Sequence, residues 1–428
     1  MRYARRDVTA TERPIRLPSG VRDFLPRAAA RRRALAEDVL RVFEAWGYAR
    51  IITPQFERAD VLERGLGAGD RATAIRFVEP GTGEVVALRP DITPQIARVV
   101  ATRMAEIPGP IRLCYEGAVT RIGEHGQREV LQAGIELVDA ASPHGDAEVI
   151  AVAAAALAAL RLPEVALDVG HVAPVQHVLA AAPDDRCRAA LSAALARKDR
   201  AGLRVAARAL PTEVAPLAEA LGTLWGEPTA TLARARALPW PSTVQRALAE
   251  LEAVLAALPA LAPTAPVLTI DLGELRGFDY YTGVRFAAFA AGAPTAVLRG
   301  GRYDELLARY RGAPRPATGF AIDLEVVAQA LRTLGVAAPR SPLGIAVHGA
   351  GAAALARALR AAGARVAVQA DPPADWAAWL VGAGLDVAIA ADRVLAPANA
   401  PVSAVAFAAA RAGDASGLVA ELEALRGP

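Results

Sequence analysis

The sequence predicts an α+β protein that ends in a small α/β domain. Three observations carry that expectation. β-type runs come in hairpin pairs interspersed with helical stretches through residue 335. An Ala- and Leu-rich helical block interrupts them at about 160–265. Beyond the prolines at 339 and 342, short apolar strands begin to alternate with helices. Paired hairpins argue against a doubly wound parallel sheet, in which a helix would follow each strand.

The elements follow in order. Residues 1–16 are charged throughout, lack the apolar core of a signal peptide and read as an N-terminal tail, so the cytoplasm is the expected compartment. Over 28–46, Leu35, Val39, Leu40, Val42 and Phe43 recur at helical spacing and Gly47 supplies a stop, which predicts a long amphipathic helix. Residues 48–56 carry Ile51, Ile52 and then Pro54, which suits a strand at an edge. Runs at 75–79 and 85–89 flank Pro80-Gly81-Thr82-Gly83 and predict a hairpin. A helix at 93–104 follows, then strands at 111–121 and 129–138 around a turn built on Gly123 and Gly126. After the helical block, strands are expected at 267–271, 284–289 and 296–299. In the last domain, 343–428, strands are expected at 343–347, 365–368, 386–389 and 402–407, with helices at 352–361 and 416–425.

Composition removes several function classes. The chain has 428 residues, 54% hydrophobic but only 5% aromatic, enough for two or three cores. Its most apolar run, 150–162, is too short and Ala-rich for a bilayer, which needs about 20 apolar residues. Cys114 and Cys187 stand far apart in no metal-like spacing, so neither a disulfide framework nor a metal site is expected. A formal charge of +3 and short basic runs such as Arg31-Arg32-Arg33 do not describe a nucleic-acid binder.

Four segments carry chemistry. Arg89-Pro90-Asp91-Ile92-Thr93 places a cation, an anion and a hydroxyl at a strand end, suited to a zwitterion; the plain alternative is a solvated strand end with a capping Asp. Arg121 ends one strand, and Gln132, Gly134 and Glu136 share one face of the next by the two-residue period. The Gln and Glu there suit an ammonium and an imidazole N–H, or simply face water. In Arg276-Gly277-Phe278-Asp279-Tyr280-Tyr281 the glycine lets backbone approach a ligand while the guanidinium forks onto a carboxylate; the tyrosines are expected on opposite sides of a strand. Gly300-Gly301-Arg302-Tyr303-Asp304 reads as a glycine turn before a helix N-terminus.

Taken in order with Pro18-Ser19-Gly20-Val21-Arg22-Asp23, Gly47-Tyr48, Pro54 and the run from Gly319 to Glu325, these segments resemble the catalytic domain of histidyl-tRNA synthetase, a class II synthetase. They resemble still more closely the synthetase-like regulatory subunit of short-form ATP phosphoribosyltransferase. The resemblance covers about 17–335, and it implies an antiparallel class II sheet with flanking helices and a helical insertion. By the same resemblance 343–428 is a divergent anticodon-binding-like domain.

Departures separate the two families. In the synthetases the third signature motif ends in Gly-Leu-Glu-Arg, whose arginine clamps the ATP phosphates; here the run is Asp323-Leu324-Glu325-Val326. An anion replaces the glycine and an apolar side chain replaces the clamp, so adenylation should fail. The loop 122–128 is shorter than its synthetase counterpart, and Asp91 stands where the synthetase has Glu. The resemblance assigns histidine binding to Asp91, Thr93, Arg121, Gln132, Glu136, Arg276, Tyr280 and Tyr281. With those departures no catalysis and no cofactor are expected, and because the terminal domain lacks an obvious basic surface no tRNA is expected either. The resemblance further implies a homodimeric core within a hetero-oligomer, a hetero-octamer by the family pattern, whose partner is the short catalytic subunit and whose allosteric ligand is L-histidine.

Overall fold

The computed structural model describes residues 16–122, 128–262, 266–275, 280–336, 342–390, 393–396 and 402–424. It divides into two compact units. One takes in the chain to Asp23 and from Leu35 to Ala337; the other holds Phe24–Ala34 and the residues from Ala338 on.

The first unit contains twelve strands among the described residues: β1 (Ala49–Arg50), β2 (Phe56–Arg58), β3 (Arg76–Val78), β4 (Val85–Leu88), β5 (Ile111–Thr120), β6 (Glu129–Val138), β7 (Ala166–His171), β8 (Trp225–Gly226), β9 (Val267–Asp271), β10 (Val284–Phe289), β11 (Leu298–Arg302) and β12 (Ala317–Asp323). Nine of them form one sheet in the order β1-β5-β6-β12-β11-β10-β7-β9-β8, while β2, β4 and β3 form a small separate sheet. Only β1 with β5 and β7 with β9 pair in parallel; the other neighbours are antiparallel. The α+β expectation therefore holds.

Strand period two sorts the large sheet into two faces. Ala133, Ile135 and Leu137 of β6, Phe320 and Ile322 of β12, Leu298 of β11, Phe286 and Ala288 of β10, and Leu167 and Val169 of β7 belong to one apolar core. That core is closed by helices Pro26–Ala45, His144–Ala159, Ser242–Leu261 and Leu324–Thr333. His144–Ala159 is buried on nearly all sides, and its alanines allow the close approach that a helix between layers requires. The alternating residues face the other way: Gln132, Gly134 and Glu136 of β6, Gly319, Ala321 and Asp323 of β12, and Arg299 and Gly301 of β11. Cavity residues come from this second, small and polar face.

Several sequence expectations change. The block at 160–265 holds six helices, but also β7, which lies inside the large sheet against β10 and β9, and β8 at its edge. Leu167 and Val169 alternate too briefly among alanines and leucines for the period to stand out. Residues 48–56 pair over only two positions, Ala49 and Arg50, before Pro54. Gly300 and Gly301 are strand, not turn. A Cβ at Gly300 would lie 2.5 Å from the Gly319 carbonyl oxygen and one at Gly301 2.8 Å from that of Val284, so glycine is required by strand packing. The Gly123–Gly126 turn and Arg276–Asp279 fall outside the described residues.

The second unit has a four-stranded sheet. β13 (Gly344–His348), β14 (Arg365–Gln369), β15 (Val387–Ala390) and β16 (Arg393–Ala396) lie in the order β14-β13-β15-β16, parallel except for the last. The strand expected at 402–407 is instead helix Ala404–Arg411: Ser403 caps it by accepting from Ala406 N, and the alanines that follow favour helix over strand. Among the described residues no helix is long and apolar enough to cross a membrane.

A cavity on the polar face of the large sheet

A cavity of about 190 Å³ opens over β6, β12 and β11, and Asp91, Thr93, Arg121, Gln132, Tyr280, Tyr281, Arg299, Tyr303 and Asp323 supply its functional side chains. Small residues make the room. Gly134, Gly319 and Ala321 present almost no side chain on this face, and Glu136 lies against Gly319, where any Cβ would displace its carboxylate.

Six of the eight residues assigned to histidine, Asp91, Thr93, Arg121, Gln132, Tyr280 and Tyr281, line this cavity. Glu136 stands behind it, 1% exposed. One carboxylate oxygen accepts from Thr93 Oγ1 at 2.6 Å and the other from the Tyr303 hydroxyl. Burial pushes this carboxyl up to about 8, against the pull of those two hydrogen bonds. Glu136 therefore fixes Thr93 and Tyr303 in the wall. The eighth residue, Arg276, lies outside the described residues.

Gln132 differs from its neighbours. It is buried, yet among the described residues its Oε1 has no hydrogen-bond partner. An orphaned acceptor in a closed site costs roughly 1–3 kcal/mol, and a donor brought by a ligand removes that cost.

The tyrosines do not straddle a strand. Tyr280 and Tyr281 lie in the segment before β10 with ring centroids 4.8 Å apart, and Tyr280 meets Tyr303 edge-on at 5.9 Å, so the three rings make one aromatic wall. Burial raises all three phenols, which keeps them protonated and able to donate.

Arg89 is also placed differently from the zwitterion reading. Its guanidinium turns inward, with Nε donating to the Ala118 carbonyl at 2.8 Å and Nη1 to Thr53 O and Oγ1, each at 2.9 Å. It braces the segment that carries Asp91 and Thr93. Sequence reading missed Arg299 as a cavity residue, although its alternation with Gly301 on β11 puts it on the face of Gln132.

Opposite Gln132 in register, Asp323 of β12 caps helix Leu324–Thr333 by accepting from Glu325 N and Val326 N at 3.0 Å each. Burial raises its carboxyl despite those bonds and the nearby Arg121 charge. Val326, at the clamp position, packs against the main core. Arg22 reaches Glu325 at 2.6 Å and ties the Pro18–Asp23 phrase to this motif. Among the described residues no cluster of three or more His, Cys, Asp or Glu side chains is placed to hold a metal.

Comparison with known proteins identifies the family. The family model for histidyl-tRNA synthetase matches residues 20–327. An ATP phosphoribosyltransferase regulatory subunit of Anaeromyxobacter dehalogenans is 44% identical over 324 residues, covering 74% of this chain and 91% of the relative. One from Syntrophotalea carbinolica is 44% identical over 356 residues, 80% of this chain and 82% of the relative. A solved structure described as an ATP phosphoribosyltransferase regulatory subunit/histidyl-tRNA synthetase from Bacillus halodurans C superposes with a TM-score of 0.77 at 27% identity, covering 89% of this chain and 99% of the other. The chain belongs to the ATP phosphoribosyltransferase regulatory subunits, a family built on a histidyl-tRNA synthetase-like class II domain.

Proposed function

We propose that this chain is the non-catalytic regulatory subunit of a short-form ATP phosphoribosyltransferase, and that its cavity is the L-histidine sensor. The partner is the short catalytic subunit, which joins ATP to phosphoribosyl pyrophosphate in the first step of histidine biosynthesis. The chain supports full activity of that subunit and transmits feedback inhibition. The core dimerises within a hetero-oligomer, a hetero-octamer by family pattern.

The observation that carries the reading is Gln132 Oε1, which has no hydrogen-bond partner among the described residues and stands among Asp91, Thr93 and the aromatic wall. An α-ammonium supplies the donor that Gln132 lacks and the positive charge that suits Asp91, while an imidazole packs on Tyr280, Tyr281 and Tyr303. Arg276 joins this ligand set by resemblance. Where a nucleotide triphosphate would lie, Asp323 offers a carboxylate and Val326 no donor, so the cavity suits binding without adenylation. Inhibition requires that histidine bind one quaternary state better than another, since equal affinity shifts nothing.

Two assays test the proposal. Purified chain should bind L-histidine in a calorimeter yet catalyse no histidine-dependent exchange of pyrophosphate into ATP; exchange at the rate of an authentic synthetase would make it a synthetase instead. Added to the short catalytic subunit, it should raise phosphoribosyl transfer and render it sensitive to histidine.

A further inference from the structure

The apolar face of the large sheet turns polar in its last row. Thr318 on β12 stands in register between Leu137 on β6 and Arg302 on β11, and His171 ends β7 on the face that carries Leu167 and Val169. Helix His144–Ala159 starts against that row. Its Asp146 Oδ2 accepts from Arg302 Nε at 2.9 Å, in a pair whose side chains are 1% and 4% exposed. Arg302 turns its other nitrogens to the Ala140 carbonyl and to Asp304, each at 3.0 Å.

Three oxygens around this pair are shut off from solvent and have no hydrogen-bond partner among the described residues: Asp146 Oδ1, Ser142 Oγ and Thr318 Oγ1. Ser142 lies in the segment that enters the helix just ahead of Asp146, and Arg302 binds Asp146 while standing beside Thr318. A carboxylate oxygen buried without a donor is costly, and each hydroxyl can both donate and accept. Folded chains meet such a demand with internal water, which makes about three hydrogen bonds to buried polar groups.

Charge decides which species fits. Three oxygens alone would suit a hard cation. Arg302, however, already neutralises Asp146, and its second carboxylate partner, Asp304, is 42% exposed and solvated. His171 adds no charge: its Nδ1 accepts from Ala173 N at 3.1 Å, and burial pushes the ring down to about 4 against the pull of Asp146. A cation would therefore meet a buried guanidinium of its own sign. A water molecule balances the bonds, donating to Asp146 Oδ1 and to one hydroxyl and accepting from the other.

We propose that the start of helix His144–Ala159 and strand β12 enclose a binding site for one internal water, held by Asp146 Oδ1, Ser142 Oγ and Thr318 Oγ1, which joins the helix to the sheet. The inference is independent of the histidine reading.

A double-mutant cycle in urea unfolding of the full chain tests it. Thr318→Val keeps the side chain's shape and removes its hydroxyl, and Ser142→Ala removes the other. Each should lower the folded-to-unfolded ratio about three- to tenfold, and the double variant should lose less than the product of the two, because both act on the same water. A hydroxyl with nothing to bind would behave in the opposite way, so a raised ratio for Thr318→Val would overturn the site, as would two independent losses. A crystal structure of the wild-type chain should show one peak within hydrogen-bond distance, about 2.7–3.0 Å, of all three oxygens. Direct pairing of Asp146 Oδ1 with either hydroxyl, or replacement of the peak by thallium as a monovalent cation site would allow, would overturn it.

Discussion

Glu136 and Gln132 occupy neighbouring positions on one face of β6 and do opposite things. The Glu136 carboxylate is committed to Thr93 and Tyr303, whereas Gln132 Oε1 has no partner among the described residues. Gln132→Ala should therefore weaken histidine by about tenfold in calorimetry. It should leave the unfolding midpoint of the ligand-free chain unchanged or slightly raised, because no hydrogen bond of that oxygen is lost. Glu136 makes a prediction in pH. Its carboxyl titrates near 8 in the fold against 4.5 without it. Between those values the folded chain holds a proton that the unfolded chain has released, so stability falls as pH rises through the window, by about 1.4 kcal/mol per unit. In urea melts from about pH 5 to pH 8, Glu136→Gln should flatten this slope; parallel curves for the two proteins would mean the carboxyl ionises freely in the fold.

Between elements, two polar contacts hold what hydrophobic packing alone would leave free to slide. Arg302 on β11 is buried and donates to Asp146 of helix His144–Ala159 at 2.9 Å, to Asp304 at 3.0 Å and to the Ala140 carbonyl at 3.0 Å. Its own carbonyl accepts from Thr282 N at 2.7 Å, beside the Tyr280-Tyr281 wall. Arg302→Leu should cost about 3–5 kcal/mol in urea unfolding because it leaves Asp146 charged and buried without its partner. Adding Asp146→Leu should recover part of that loss, and additive costs would deny the coupling. Asp323 is both a helix cap and a carboxylate in the cavity lining. Asp323→Ala should cost about 1 kcal/mol, while Asp323→Asn keeps a capping oxygen and should cost less; equal losses would show that the charge, not the cap, is what matters.

At the scale of the whole molecule, the cavity and the assembly surfaces are separable by experiment. A chain carrying Gln132→Ala should still activate the short catalytic subunit, yet the reconstituted enzyme should need about tenfold more histidine for the same inhibition. Loss of activation instead would make Gln132 a structural residue of the assembly. The cavity gathers residues from β6, β11 and β12, from Arg121 just past β5, from the segment before β10, and from the start of helix Thr93–Arg103 and the loop ahead of it. Distant stretches of chain thus build one cavity, which is why its parts carry weak signals one at a time and a strong one in order.

Local pattern is enough to specify the α+β class, the helix that stops at Gly47, the hairpin of β5 and β6, and the side of β6 that carries Gln132 and Glu136. These follow from local period, glycine stops and turn chemistry, which act over a few residues. Long-range packing is what brings β7 into the large sheet, makes Gly300 and Gly301 strand, turns Arg89 inward and commits Glu136 to Thr93 and Tyr303. Each depends on what a residue meets from elsewhere in the chain: a carbonyl too close for a Cβ, or a hydroxyl that claims a carboxylate first. The orphaned Gln132 oxygen belongs to the same class, because a missing partner is defined only by everything packed around it.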